Sequence, residues 1–450
     1  MCAADTRRHA IVVGAGWAGC SAGVELARAG WQVTMLEAAR MPGGRARAVE
    51  VHGRQLDNGQ HILLGAYSAT LRMLKTVGVN PATVLLNLPL QMRYPPGSGG
   101  MDFVAPRLPA PLHMAVALLR ATGLAGADKM ALARFSTTAR WMDWKLYQDC
   151  SVSELLERYD QTERLTRLMW RPLCLAALNT PPERASAQVF LNVLRDSLGA
   201  GRASSDMLLP RPDLSALFPL RAADFIAAHG GQVHTGVKAL ALERHGRLWQ
   251  IDAAGSAVGG TASLTADAVV LATPAATTAS LLGELAPACL TGFEYEPIST
   301  CYLQYARSVG LELPFCALLD DPARAHWGQF VFDRGQLDPA QQGLLAVVIS
   351  ASKQASALGQ AELGAALGAQ LAHDFGRPEL ATPLSVQLIT EKRATFACTP
   401  GLARPACDIG LGNLALAGDY TASDYPATLE AAVRSGSAAA ALLNKGQAAA

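Results

Sequence analysis

Charge imbalance is the first thing this sequence lacks: 38 Lys and Arg stand against 37 Asp and Glu, a formal net charge of +1. A basic stripe able to track a nucleic-acid backbone is therefore not expected, and none is visible. Long apolar runs are missing too. No segment approaches the ~20 uninterrupted apolar residues that a spanning helix needs. Met1 to Ala10 contains Asp5, Arg7 and Arg8 and leads straight into a strand-like segment. No apolar h-region with a separate cleavage site precedes the fold, which argues against secretion. The nine cysteines, at 2, 20, 150, 174, 289, 301, 316, 398 and 407, form no CxxC and no Cys/His cluster at metal spacing. Neither a disulfide framework nor a metal site is expected. A reduced, cytoplasmic chain with its thiols packed as small hydrophobes fits this pattern. Internal repeats are absent, and the alanine-heavy tail is the one biased segment.

Apolar residues are plentiful, at 50% against 17% charged, and 450 residues leave room for two or three domains with large cores. The organisation starts at once. His9-Ala10-Ile11-Val12-Val13 reads as a buried parallel strand and runs into Gly14-Ala15-Gly16-Trp17-Ala18-Gly19. A helix-like stretch, Cys20 to Arg28, stops at Gly30, and a second strand, Trp31 to Leu36, ends in Glu37. This is the βαβ context that gives a GxGxxG signal its meaning. Gly14 permits the tight turn, Gly16 lets the backbone approach a pyrophosphate, and Gly19 lets the helix lie close on the strand. The helix N-terminus then faces the negative charge. Glu37 can accept from ribose hydroxyls, and an acid there points to an adenosine without a 2′-phosphate.

Met41-Pro42-Gly43-Gly44-Arg45-Ala46 follows. The glycine pair lets a loop pass close to the cofactor, and Arg45 supplies a fixed cation for phosphate or flavin carbonyl. Much later, Gly412 to Ala417 is another apolar strand, followed by Gly418, Asp419 and a helix-like run from Thr428 to Leu443. Together, Val12 to Gly19, Glu37, Gly43-Gly44-Arg45, Leu416 to Tyr420 and Tyr425 to Gly436 resemble the flavin-containing amine oxidase, protoporphyrinogen oxidase and phytoene desaturase superfamily. Leu56-Asp57-Asn58-Gly59-Gln60-His61-Ile62-Leu63-Leu64-Gly65-Ala66-Tyr67 is similar to its squalene-associated branch, the hydroxysqualene dehydroxylases of bacterial hopanoid pathways.

The resemblance implies an α/β fold, with a Rossmann-type FAD-binding domain of the amine oxidase type and a discontinuous α+β substrate domain. The FAD-binding part is expected at 8–85, 206–284 and 391–445, and the substrate part at 86–205 and 285–390. The cofactor would be held by Gly14, Gly16, Trp17, Ala18, Gly19, Glu37, Gly44, Arg45, Gly59, Gln60, Gly418, Asp419, Ala427 and Thr428. By resemblance, Val237 would hold the adenine through its backbone; read as a residue alone it is equally an ordinary strand valine. Asp419 would accept from ribityl hydroxyls or phosphate-bound water, and the closing helix would aim its positive end at the flavin N1/C2 edge. Some amine oxidases hang the flavin from a cysteine near this motif; here none lies between 408 and 450, so FAD is expected to be non-covalent.

Between these ends, Val233 to Glu243, Leu248 to Ala253 and Ser263 to Ala272 read as a meander returning to a parallel strand. Helices are expected at Leu112 to Arg120, Ala127 to Leu146, Val152 to Tyr159, Thr162 to Leu178 and Ser356 to Phe375, with strands at Thr300 to Tyr305 and Leu344 to Ser350. The helices at 111–125 and 127–146 mix Leu, Met and Ala with Arg120, Lys129, Arg134 and Arg140. One reading is a tunnel mouth resting on the inner face of a membrane; the other is a pair of core helices with a solvated basic face.

The branch resemblance implies hydroxysqualene as an apolar isoprenoid substrate, squalene as product, and an unidentified outside electron donor. Such chemistry needs one proton donor. His61 is the first candidate, since imidazole titrates near working pH; Tyr67, Asp424 and Tyr425 follow. Asp57 could order the loop. Carotenoid desaturation, amine oxidation and a flavin-binding protein without turnover are the rival readings, amine oxidation being disfavoured because aromatics total 6% and no cage can be placed.

Overall fold

The computed structural model describes residues 7–445; Cys2 and Asp5 lie outside the described residues. The apolar run His9–Val13 is buried because strands flank it on both sides, Gln32–Glu37 and Ala268–Leu271, each parallel to it. Gln232–Thr235 extends the sheet on one side and Leu414–Leu416 on the other, giving five parallel strands. Segments from both ends of the sequence are thus neighbours in one sheet. The opening helix, Trp17–Arg28, lies beside the closing helix, Leu429–Lys445. Contact is close: a Cβ on Gly436 would sit 2.1 Å from the Ala18 carbonyl oxygen, and Ser21 Oγ donates to the Val433 carbonyl at 2.9 Å.

Two expected strands are each divided. Val233 to Glu243 breaks at Gly236, which takes a left-handed φ of +68°. Gln232–Thr235 stays in the parallel sheet, while Lys238–His245 joins Leu248–Gly255 and Gly260–Ala266 in an antiparallel one. Ser263 to Ala272 breaks at Asp267, whose carboxylate accepts from the His9 N–H at 2.8 Å. The helix expected over 127–146 spans Gly126–Trp141, since Asp143 and Trp144 are left-handed (φ 53° and 57°). The stretch 163–178 is helical throughout, with one wide π-type turn at Thr166–Trp170, a feature that often marks functional sites.

A second sheet is antiparallel, in the order Phe315–Ala317, Phe330–Asp333, Leu344–Ser350, Tyr295–Gln304, Ser385–Phe396. Leu344–Ser350 is buried at every position because both faces are covered. Helix Gln360–Phe375 covers one face with Leu363, Leu367 and Leu371, each fully buried and each contributing about 2 kcal/mol. The other face, carrying Tyr302 and Phe315, meets the core shared with the helical segment 112–199. No helix among the described residues is long and apolar enough to cross a membrane.

Candidate functional site

The opening and closing helices both follow strands of the parallel sheet, so their N-termini gather at one edge of it. The first N–H groups of a helix have no intrahelical carbonyl to pair with, and they draw anions. Neither Gly14 in the loop before the opening helix nor Gly19 in its first turn has room for a side chain. A Cβ on Gly19 would lie 1.9 Å from the Gly14 carbonyl oxygen, and one on Gly14, at φ +102°, would lie 2.6 Å from the Ala272 carbonyl oxygen. Gly16 instead faces Gly44, whose Cα would be 3.8 Å from such an atom, and the Gly43 N–H donates to the Ala15 carbonyl at 2.8 Å. Trp17 turns its ring away, donating from Nε1 to the Ala46 carbonyl at 3.1 Å. Ala18 beside it is buried under the closing helix. The result is a shallow cradle floored by backbone, which fits a pyrophosphate.

Glu37 stands at the end of its strand and fastens this loop. Its Oε2 accepts from the Ala15 N–H at 2.7 Å and its Oε1 from the Ala39 N–H at 2.8 Å. A carboxylate offers about four lone-pair positions, so capacity for hydroxyl donors remains. Val237 lies next to it, buried, with its N–H already given to the Glu37 carbonyl at 2.8 Å. Any polar contact from Val237 to a base must therefore use its carbonyl.

Arg45 and Asp419, 374 positions apart, meet: Nη2 lies 2.6 Å from Oδ1, with Asp419 buried, and Nη1 donates to the Ala394 carbonyl at 3.0 Å. The Gly418 N–H donates to Ser435 Oγ at 2.8 Å. Ala427 and Thr428 precede the closing helix, and Thr428 Oγ1 accepts from the Ala431 N–H at 3.1 Å as a cap. Burial, and then the nearby Glu430 carboxylate, push the Tyr67 phenol above its usual range. Two residues into the helix, buried Glu430 accepts from the Ala69 and Thr70 N–H groups at 3.0 and 2.9 Å. The segment through Tyr67 is thereby pinned to the closing helix.

Residues 57–61 face the second sheet. Gln60 Nε2 donates to Tyr302 Oη at 2.9 Å, Tyr302 donates to the Asp57 carbonyl at 2.6 Å, and Arg334 donates to Gln60 Oε1 at 2.9 Å. Burial pushes the Asp57 carboxyl up to about 7, against the pull of the Leu214 N–H and Arg334. A Cβ on Gly59 would be 3.8 Å from Thr300 Oγ1, a buried hydroxyl without a hydrogen-bond partner. His61 Nδ1 lies 2.9 Å from the Gly59 carbonyl oxygen and must carry the proton there. Burial lowers the imidazole's pKa, so at neutral pH its Nε2 accepts rather than donates.

Tyr425 lies elsewhere on the same edge. Its hydroxyl donates to Asp196, and the Arg434 guanidinium sits 4.8 Å over its ring. Burial, and then the bond to Asp196, push the phenol up to about 12. Burial would also raise Asp196, but hydrogen bonds from Arg195 and Tyr425 outweigh it and hold the carboxyl below its usual range. Exposed Asp424 contributes its backbone carbonyl, which accepts from Asn192 Nδ2 at 3.0 Å. Leu194 and Leu198, on either side of Asp196, line an apolar cavity of about 80 Å³. Twelve of its fifteen lining residues are apolar, among them Phe103, Phe135, Trp144 and Trp170, so a chain poor in aromatics concentrates them here. Asp196, Asn192, Thr300, Tyr302 and Arg334 escaped the sequence reading. Only the period-two register of Thr300 and Tyr302 in one strand was available to signal any of them.

The profile of the flavin containing amine oxidoreductase family matches residues 17–444. The chain belongs to that family. It is a flavin-dependent oxidoreductase with a Rossmann-type cofactor domain and a substrate domain. The hydroxysqualene dehydroxylase of Rhodopseudomonas palustris is 31% identical over 449 residues, covering 96% of this chain and 97% of that protein. The 15-cis-phytoene desaturase of Synechococcus elongatus is 23% identical over 94% of this chain and 93% of its own. The cyclohexylamine oxidase structure from Brevibacterium oxydans shares the family fold with a TM-score of 0.68, at 17% identity over 98% of this chain and 99% of its own.

Proposed function

We propose that this flavoenzyme binds FAD non-covalently and reductively removes the hydroxyl of hydroxysqualene, giving squalene. The observation that carries the reading is the apolar cavity, whose wall at Leu194 and Leu198 brackets the carboxylate holding Tyr425. Its almost wholly apolar lining suits an apolar ligand, and nearly full-length likeness to a hydroxysqualene dehydroxylase supports the substrate class. In this division 8–85, 206–284 and 391–445 bind the cofactor, and 86–205 and 285–390 bind the substrate.

When bound and reduced, the flavin supplies hydride to the allylic carbon. The protein's part is to hold the chain in a dry cavity and to deliver one proton to the departing oxygen. The allylic C–O bond breaks, the oxygen leaves as water, and a C–H bond forms, so an outside donor must restore the flavin's two electrons. Tyr425 keeps its proton throughout the working pH range and is the proposed donor, with Asp196 aligning its hydroxyl. Tyr67, in the segment that Glu430 pins to the closing helix through the Ala69 and Thr70 N–H groups, lines the same edge. His61, neutral and tied to the Gly59 carbonyl through Nδ1, would offer Nε2 as an acceptor. Anaerobic incubation of dithionite-reduced protein with hydroxysqualene should yield squalene, read by gas chromatography and mass spectrometry. Desaturated products from phytoene with oxidised protein, and no squalene, would establish carotenoid desaturation instead.

The substrate partitions into membranes, and a peripheral membrane contact is part of the proposal. Leu119 and Trp141 are 75% and 87% exposed on the two helices that form one cavity wall, with Arg120, Arg134 and Arg140 also exposed. Flotation with anionic vesicles should carry the protein upward, and Trp141→Ser should weaken that binding several-fold.

A further inference from the structure

On the far side of the second sheet from Tyr302, the fold brings together three potential ligands from two separate segments. Helix Gln360–Phe375 ends with His373 and Asp374. A tight turn, closed by bonds from the Asp321 N–H to the His326 carbonyl and from the His326 N–H to the Asp321 carbonyl (2.7 and 3.0 Å), presents His326 to that helix end. One nitrogen from each imidazole and one Asp374 carboxylate oxygen all lie within 4.8 Å of one another. The rings are 5.3 Å apart between centroids. His326 and His373 are 47 positions apart in the sequence, so no local spacing could reveal them.

Asp374 makes the cluster more than a chance meeting of surface groups. Its side chain is only 2% exposed. Oδ1 lies 3.0 Å from His373 Nδ1, but Oδ2 is buried with no hydrogen-bond partner. An uncompensated buried carboxylate oxygen is costly, and a cation is its natural complement. The group also sits at the C-terminal end of a 16-residue helix, where the backbone dipole favours positive charge. Leu363, Leu367 and Leu371 hold that helix rigidly in the core. Arg324 is already close, its Nη2 3.4 Å from His373 Nε2 on an exposed turn.

We propose that His326, His373 and Asp374 bind one divalent transition-metal ion of the zinc class. Two imidazoles and a carboxylate suit zinc, cobalt or nickel better than magnesium or calcium, which favour all-oxygen sets. Three protein ligands leave one position for water. Ligand atoms in a tetrahedral zinc site stand about 3.4 Å apart, given bonds of about 2.1 Å, so the cluster must tighten by little more than 1 Å. His373, at 47% exposure, is free to rotate that far. The ion ties the 321–326 turn to the helix end and braces the second sheet from behind. Its role is structural, and it stands apart from the redox reaction.

The test uses untagged, flavin-loaded protein stripped with EDTA and titrated with cobalt(II), then zinc(II). One equivalent of cobalt is expected, with the weak visible bands of nitrogen and oxygen ligands and without the intense near-ultraviolet band of a cysteine thiolate. His326→Ala and His373→Ala should each weaken binding roughly a hundredfold, since each removes one of three ligands. Arg324→Ala should tighten it several-fold by removing a competing cation. Zinc should raise the melting temperature of the wild type and of neither histidine variant, while flavin absorbance stays the same in all. Absence of stoichiometric cobalt, a thiolate band, or affinity unchanged in the histidine variants overturns the proposal. Should His326→Ala fail to fold, His373→Ala at its half-exposed position carries the same reading.

Discussion

The cofactor edge and the helical cavity wall are built by opposite means. The edge is made of backbone: Gly14, Gly16, Gly19 and Gly44 bring chain against chain, and helix N-termini supply the polarity. The wall is made of side chains, with Phe103, Phe135, Trp144, Leu194 and Leu198 arriving from several helices and loops. A backbone site tolerates almost no added atom, whereas a wall of packed side chains can lose or gain a few and change selectivity without losing its form.

The harshest way to probe this contrast is Gly19→Val, whose first added atom already overlaps the Gly14 carbonyl. Flavin bound per chain, read by absorbance, should fall below a tenth of the wild-type ratio. Tyr425→Phe acts from the other side. It removes the hydroxyl that Asp196 aligns and should lower kcat on the order of a hundredfold with flavin content unchanged. Asp419→Ala tests the joint between the two crossovers. Its partner Arg45 is 34% exposed, so the loss is smaller than for a fully buried pair, about 1.4 kcal/mol, and flavin affinity should fall roughly tenfold. Leu198→Trp fills part of the cavity and should raise KM for the apolar substrate a few-fold, leaving flavin affinity alone. If it instead released flavin, edge and wall would not be separable.

The mildest change is Asp57→Asn. The native carboxyl titrates at about 7 rather than 3.8, so the folded state holds its proton more tightly than the unfolded chain. The associated stability is complete below pH 4 and is lost as pH rises towards 7. The amide cannot ionise but still accepts from the Leu214 N–H, so the variant's melting temperature should vary less across that window. A pH profile identical to that of the wild type would remove Asp57 from the account.

How much of this could be read from the sequence follows the same division. The glycine loop and Glu37 were legible because a backbone conformation leaves a local trace: only glycine fits at Gly14 and Gly19. The pairing of Arg45 with Asp419 was not legible, since nothing local says which distant carboxylate a guanidinium meets. The run Val233 to Glu243 looked like one strand because apolar content does not register that Gly236 redirects the chain. The helix expected to reach Leu146 stops at Trp141 because Asp143 and Trp144 turn left-handed, a preference that composition hides. Asp196 carried no local signal. Its role comes from a fold that sets it against Tyr425, 229 positions later. His61 was noticed for its chemistry, but the burial that lowers its pKa and the bond from Nδ1 to the Gly59 carbonyl leave no local trace in the sequence.

The joining of Arg45 to Asp419 across 374 positions also bears on how the molecule is made. On a ribosome adding about 5–20 residues per second, the glycine cradle emerges on the order of half a minute before the carboxylate that completes it. During that interval the nascent chain exposes an unfinished parallel sheet whose outer strand has yet to be translated. On the site proposed above, retention of the cofactor follows synthesis of the closing helix, and a chain that stalls shortly before Asp419 is expected to be colourless.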